Sequence, residues 1–123
     1  MPDTASSNLR TGGQILVDCL RLHGVDTVFC VPGESYLATL DAFHDVQDSI
    51  NLVVCRQEGG VTNMADAWGK MTGKPGIAFV TRGPGATNAS VGIHTAHQDS
   101  TPLILFVGQV ARDMTEREAF QEV

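Results

Sequence analysis

The sequence predicts an α/β fold: an open parallel β-sheet with helices on both faces, a three-layer α/β/α arrangement. Three observations predict it. β-rich and helical segments alternate four times along the chain. Three of the strand segments are nearly continuous apolar runs, as expected of strands covered on both faces. Each strand segment ends in a glycine-bearing turn, and such turns punctuate strand-to-helix connections.

Residues 1–10 are polar and read as a flexible lead-in. Thr11-Gly12-Gly13-Gln14 reads as a capping box, with Thr11 as N-cap and Gln14 at the third helical position. The first helix is expected to bury Ile15, Leu16, Cys19 and Leu20 and to stop at Gly24. Val25 to Val31 is the first strand, ended by Pro32-Gly33. Leu37, Leu40 and Phe43 follow at helical spacing, and Ile50 to Cys55 is the second strand. Val61, Met64, Ala65, Trp68 and Met71 form the next helical stripe, closed by Gly73, with Met64 and Trp68 read as core. Ile77 to Thr81 is the third strand, ended by Arg82-Gly83-Pro84-Gly85. A helix is expected over Ala86 to about His97, burying Ala89, Ile93 and Ala96. Leu103 to Val107 is the fourth strand, ended by Gly108, and the chain from Arg112 onward is polar. Parallel strands point the same way, so these turns line one edge, where open α/β sheets bind ligands.

Composition narrows the function classes. At 123 residues and 42% hydrophobic content the chain suits one domain with a real core. Thirteen glycines exceed the average of about 7% and point to tight turns and close backbone approaches. The net charge of −6, without a basic block, gives no nucleic-acid footprint. The start resembles no signal peptide, and no segment approaches the ~20 apolar residues of a membrane span, so a cytoplasmic protein is expected. Cys19, Cys30 and Cys55 lie in apolar stretches and read as buried free thiols.

Glu58 is the leading candidate for chemistry. In Cys55-Arg56-Gln57-Glu58-Gly59-Gly60 an apolar run ends, a carboxylate follows and two glycines open a helix. A carboxylate at the end of a buried strand is costly to ionise unless it has a use there, and proton exchange is one such use. A solvated loop acid is the plainer reading. The Gly83-Pro84-Gly85-Ala86-Thr87-Asn88 turn could offer free N–H groups to an anion or a polar ring edge, or be a tight turn with no ligand. Gly69-Lys70-Met71-Thr72-Gly73-Lys74-Pro75 fails as a phosphate loop, because its spacing is wrong and proline stands where Ser or Thr must hold Mg²⁺. His94 and His97 lack a third ligand at metal-site spacing, so no metal ligand is assigned. No Gly-x-Ser-x-Gly elbow exists for a serine nucleophile.

Seven motifs then occur in one order. They are Arg56-Gln57-Glu58-Gly59-Gly60, Met64-Ala65-Asp66-Ala67, Thr72-Gly73-Lys74-Pro75-Gly76, Gly83-Pro84-Gly85-Ala86-Thr87-Asn88, Asp99-Ser100-Thr101-Pro102, Gly108-Gln109-Val110 and Ala119-Phe120-Gln121-Glu122. From about residue 11 to the end, the chain resembles the N-terminal, pyrimidine-binding domain of thiamine diphosphate-dependent enzymes of the acetolactate synthase-like group.

The resemblance implies that Glu58 hydrogen-bonds N1′ of the cofactor's aminopyrimidine and so promotes loss of the thiazolium C2 proton, preparing attack on a 2-keto acid. It implies that Pro84 and Asn88 lie beside the pyrimidine ring, that Pro32 and Gly33 form the loop on the opposite side, and that Phe120 and Gln121 approach substrate. The Gly83 turn then becomes a ring-edge site rather than an anion site. Thiamine diphosphate and Mg²⁺ are the implied cofactors, with the diphosphate and metal held by a separate domain, usually of a partner subunit in a homo-oligomer. Two positions depart from the acetolactate synthase pattern: Gln57 where histidine is usual, and Glu34-Ser35 after Pro32-Gly33. Glu34 is expected to face the substrate channel.

Residues 11–123 thus read as a partial pyrimidine-binding domain, with four strands of the family's six or so. Central and diphosphate-binding domains are expected to be missing, and the chain alone is expected to be inactive. An unfinished sheet edge leads to an expectation of self-association. The competing function is a non-catalytic α/β module that uses the Gly83 turn for a nucleotide or a partner.

Overall fold

A computed structural model describes residues 9–123. The lead-in expected over residues 1–10 falls outside the described residues except for Leu9 and Arg10, and Arg10 is tied to the first helix by an ion pair with Asp18 at 2.5 Å. The elements are α1 (Gly12–Leu22), β1 (Thr27–Cys30), a 3-10 turn (Glu34–Tyr36), α2 (Leu37–Asp45), β2 (Asn51–Val54), α3 (Glu58–Thr72), β3 (Gly76–Val80), α4 (Pro84–Gln98), β4 (Leu103–Val107) and a second 3-10 turn (Arg112–Met114).

The four strands form one fully parallel sheet in the order β2-β1-β3-β4. Chain order reverses between β1 and β3, which places a topological switch point at their carboxyl ends. Side chains alternate between two cores, as the strand period of two requires. On one face Val28, Cys30, Ile77 and Phe79 pack with Val17, Leu20, Ala42 and Phe43 of α1 and α2. On the other, Phe29, Ala78 and Val80 pack with Val61, Ala65 and Ala89 of α3 and α4. Phe79 is the hub of the first core, stacking on Phe106 at 4.5 Å and meeting Phe43 edge-on at 5.4 Å. The predicted three-layer α/β/α architecture is the one observed.

Local signals account for the helix ends. The capping box at Thr11 and Gln14 is complete, with both reciprocal bonds formed. Gly24 and Gly73 follow α1 and α3 with left-handed φ values of 71° and 70°. The first two strands are shorter than expected, the third is shifted by one residue, the fourth has the expected bounds, and only the central pair is buried as expected. β3 is buried throughout, whereas the edge strands β2 and β4 expose Val54, Ile104 and Val107.

The helical faces differ from expectation in a consistent way. α1 buries Gly13, Val17 and Leu20 and leaves Ile15 and Cys19 exposed. Leu37, Met64 and Met71 are also exposed, while Trp68 lies half-buried against the second core. α4 buries Gly92 beside Ala89 and Ala96, with Ile93 half-buried. Helices here approach through small residues. A Cβ on Gly92 would lie 2.3 Å from Thr62 Oγ1, so α4 rests directly on α3, and Thr62 Oγ1 donates to the Ala89 carbonyl at 2.9 Å. The thiols are free but not uniformly buried: Cys30 is buried, Cys55 half-buried and Cys19 exposed.

Candidate functional site: a carboxylate at the sheet's switch point

The site is assembled from the carboxyl ends of β1, β2 and β3. Glu58 does not sit at the end of a strand. β2 stops at Val54, and Glu58 is the first residue of α3, where an acidic side chain favours the helix dipole. Gln57 caps the helix, its Oε1 accepting from the Gly60 N–H at 3.0 Å. With capping done by its neighbour, the Glu58 carboxylate is available elsewhere. It is half-buried, and its Oε2 accepts from Asn88 Nδ2 on α4 at 3.1 Å. Oε1 has no hydrogen bond among the described residues.

The Gly83 turn lies under this carboxylate. A Cβ on Gly85 would meet Thr81 Cγ2 at 2.8 Å and stand 3.5 Å from Glu58 Oε1, so the absence of a side chain lets the turn pack closely against Thr81 beside the carboxylate. Pro84 is the exposed first residue of α4, where its lack of an N–H costs nothing. Gly83 has φ 52° and ψ −109°, and the Gln121 carbonyl oxygen lies 2.5 Å from where its Cβ would be. One side of the turn is therefore covered by a backbone acceptor, which is unfavourable for an anion.

The loop after β1 is pinned to the same place. Ser35 Oγ and Thr81 Oγ1 are 2.8 Å apart, and a Cβ on Gly33 would lie 2.6 Å from Thr81 Cβ. Tyr36 is buried, and its hydroxyl donates to the Val31 carbonyl. Burial raises the affinity of that phenol for its proton, reinforced by the Cys30 thiol and the Glu58 carboxylate nearby. Pro32 is exposed at the start of this loop.

Glu58, Pro84 and Asn88 are thus brought together, and Gly33 is held against the end of β3. Phe120 and Gln121 lie at the edge of this cluster. The Phe120 side chain is 73% exposed, and both residues touch the turn through their carbonyl groups. Glu34 is not an isolated channel carboxylate, because its Oε1 accepts from Arg82 Nη2 at 2.7 Å. Arg82 is the residue that sequence reasoning missed. An arginine just past a buried strand was the available signal, but its partners lie 48 and 38 positions away. Among the described residues, no group of three His, Cys, Asp or Glu side chains could hold a metal ion, and no helix is long and apolar enough to cross a membrane.

Comparison with known proteins agrees with this geometry. Residues 10–123 match the family described as "Thiamine pyrophosphate enzyme, N-terminal TPP binding domain". The chain is 44% identical over 114 residues to the acetolactate synthase large subunit of Parasynechococcus marenigrum (strain WH8102), covering 91% of this chain and 18% of that relative. It is 41% identical over 112 residues to the mitochondrial acetolactate synthase catalytic subunit of Saccharomyces cerevisiae, covering 91% of this chain and 16% of that relative. The acetolactate synthase large subunit of Lactococcus lactis is also 41% identical over 112 residues, with 91% of this chain and 19% of the relative covered. The chain therefore spans less than a fifth of the length of these three relatives. A match over nearly its whole length, on a sheet whose switch point gathers Glu58, Asn88 and the Gly83 turn, makes this chain a member of the thiamine pyrophosphate enzyme family through its N-terminal TPP-binding domain.

Proposed function

We propose that this chain forms the pyrimidine-facing half of the site in a thiamine diphosphate-dependent enzyme acting on 2-keto acids, with Glu58 hydrogen-bonding N1′ of the aminopyrimidine. The observation that carries the reading is the Glu58–Asn88 pair, 3.1 Å apart, beside the Gly85 turn.

Bound thiamine diphosphate supplies an acidic thiazolium carbon and an electron sink. The protein's part is to hold the ring edge and to exchange a proton at N1′. Asn88 fixes one carboxylate oxygen of Glu58 and leaves Oε1 for the ligand. Pro84 offers an apolar surface beside the ring, and Pro32 and Gly33 bound the opposite side. The diphosphate and Mg²⁺ are assigned to a separate domain of a partner subunit, within a homo-oligomer. The names of the relatives favour acetolactate-type carboligation over simple decarboxylation or lyase chemistry. The carbonyl of Gln121 over the Gly83 turn disfavours the alternative of a nucleotide phosphate there.

The test is Glu58→Gln in the complete polypeptide. Exchange of the cofactor's C2 proton, followed by NMR, should slow by about 100-fold or more, the usual scale for losing a positioned proton-transfer group. The circular dichroism spectrum should not change. Exchange at the wild-type rate would reject the role of Glu58.

A further inference from the structure

We propose that Arg82 is a positioning residue: it straps Ala119–Glu122 to the loop after β1, so that this segment forms one wall of the site. The proposal rests on the proposed function only for what that wall faces.

Arg82 follows β3 by two residues at the switch point, and its side chain is 9% exposed. Nη2 donates to Glu34 Oε1 at 2.7 Å and Nε donates to the Phe120 carbonyl at 2.8 Å. A buried guanidinium requires partners, and here it takes one from each of two distant segments. The wall has little else to hold it. Phe120 is 73% exposed, so its ring contributes little burial, and the carbonyl makes the attachment. Against Gly83 the contact is backbone on backbone, with the Gln121 carbonyl where a Cβ would stand.

The segment is organised within itself. The Glu122 carboxylate accepts from the backbone N–H groups of Glu116, Arg117 and Ala119, which hold its proton affinity below the usual range. Glu116, Glu118 and Gln121 all have positive φ, a conformation that non-glycine residues adopt only when tethered. Outside this knot, Gln109 Nε2 donates to the Val123 carbonyl at 2.9 Å. Residues 116–122 thus form a compact knot docked on the sheet edge chiefly through one arginine. A cavity of about 510 Å³ lies beside the dock, lined by Glu34, Leu37, Arg82, Val110, Met114 and Phe120.

Limited trypsin digestion of the complete polypeptide, read by mass spectrometry, tests the strap. Arg117 lies in the knot, and Arg56 in the β2–α3 loop is an exposed control. Arg82→Ala should speed cleavage at Arg117 by about tenfold, the scale of losing charge-assisted hydrogen bonds from a local opening equilibrium. Cleavage at Arg56 should stay at the wild-type rate. Arg82→Lys keeps the charge but can serve only one partner well, so it should give partial rescue. Adding Glu34→Ala to Arg82→Ala should have no further effect. Failure of the Glu58 reading would show in C2-proton exchange of Glu58→Gln, a measurement separate from cleavage at Arg117. Wild-type cleavage at Arg117 in Arg82→Ala, an equal rise at Arg56, or no rescue by lysine would overturn the proposal.

Discussion

Gln57 and Glu58 divide two tasks that adjacent polar residues at a helix start often share. Gln57 satisfies the Gly60 N–H, and Glu58 is directed to Asn88 on the next helix. Glu58 stood out in sequence as a candidate because a carboxylate followed by two glycines comes where an apolar run ends, at the same sheet edge as the Gly83 turn. Its partner Asn88 became legible only through resemblance, since 30 positions separate the two. Arg82 was not legible, because nothing local distinguishes a buried arginine from a solvated one until its partners are known. The cysteines show the same limit and support a prediction. Burial, with the Cys55 thiol adding to it, pushes Cys30 up to about 11, and burial also raises Cys55, whereas Cys19 is exposed on α1. Thiolate is the reactive form. Iodoacetamide at neutral pH should therefore alkylate Cys19 first and reach Cys30 only in denaturant, as peptide mapping would show. Labelling of Cys30 at the rate of Cys19 in the native protein would contradict this packing.

The order and approximate extent of the elements could be read from glycine and proline punctuation and from the capping box. The faces of the helices could not, and the reason is physical. Apolar periodicity marks a helix face only when large side chains form the contact. Here α1, α3 and α4 approach through Gly13, Thr62, Ala65, Ala89 and Gly92, so Ile15, Met64 and Met71 are left outside despite their helical spacing. The α3–α4 contact is the strictest case. Gly92→Ala places a methyl group 2.3 Å from Thr62 Oγ1, and overpacking of this kind costs roughly 1–3 kcal/mol. Chemical denaturation should register that loss. Because Glu58 and Thr62 are one turn apart on α3, as Asn88 and Gly92 are on α4, the variant should also slow C2-proton exchange. Unchanged stability would show that the helices can part freely.

Strand order governs how the whole molecule builds its site. β1 and β3 are neighbours in the sheet, yet 45 residues lie between Cys30 and Gly76 in the sequence. The loop after β1, the turn after β3 and the first turn of α3 therefore converge only once the sheet is formed. In the proposed reading the 123 residues contain the groups for the pyrimidine and rely on other domains for the diphosphate. Supplied alone with thiamine diphosphate, Mg²⁺ and pyruvate, they should give no carbon dioxide release above the cofactor blank. Steady turnover would show that these residues suffice. The parallel register of α3 and α4 has a further consequence for how such a domain diversifies. Glu58 and Asn88 are the jaws of a caliper whose setting is fixed one turn deeper, where Thr62 bears on Gly92. On the proposed role of Glu58, substitutions at that bearing surface retune cofactor activation while Glu58 and Asn88 stay the same, so divergence in rate need leave no trace at those two residues.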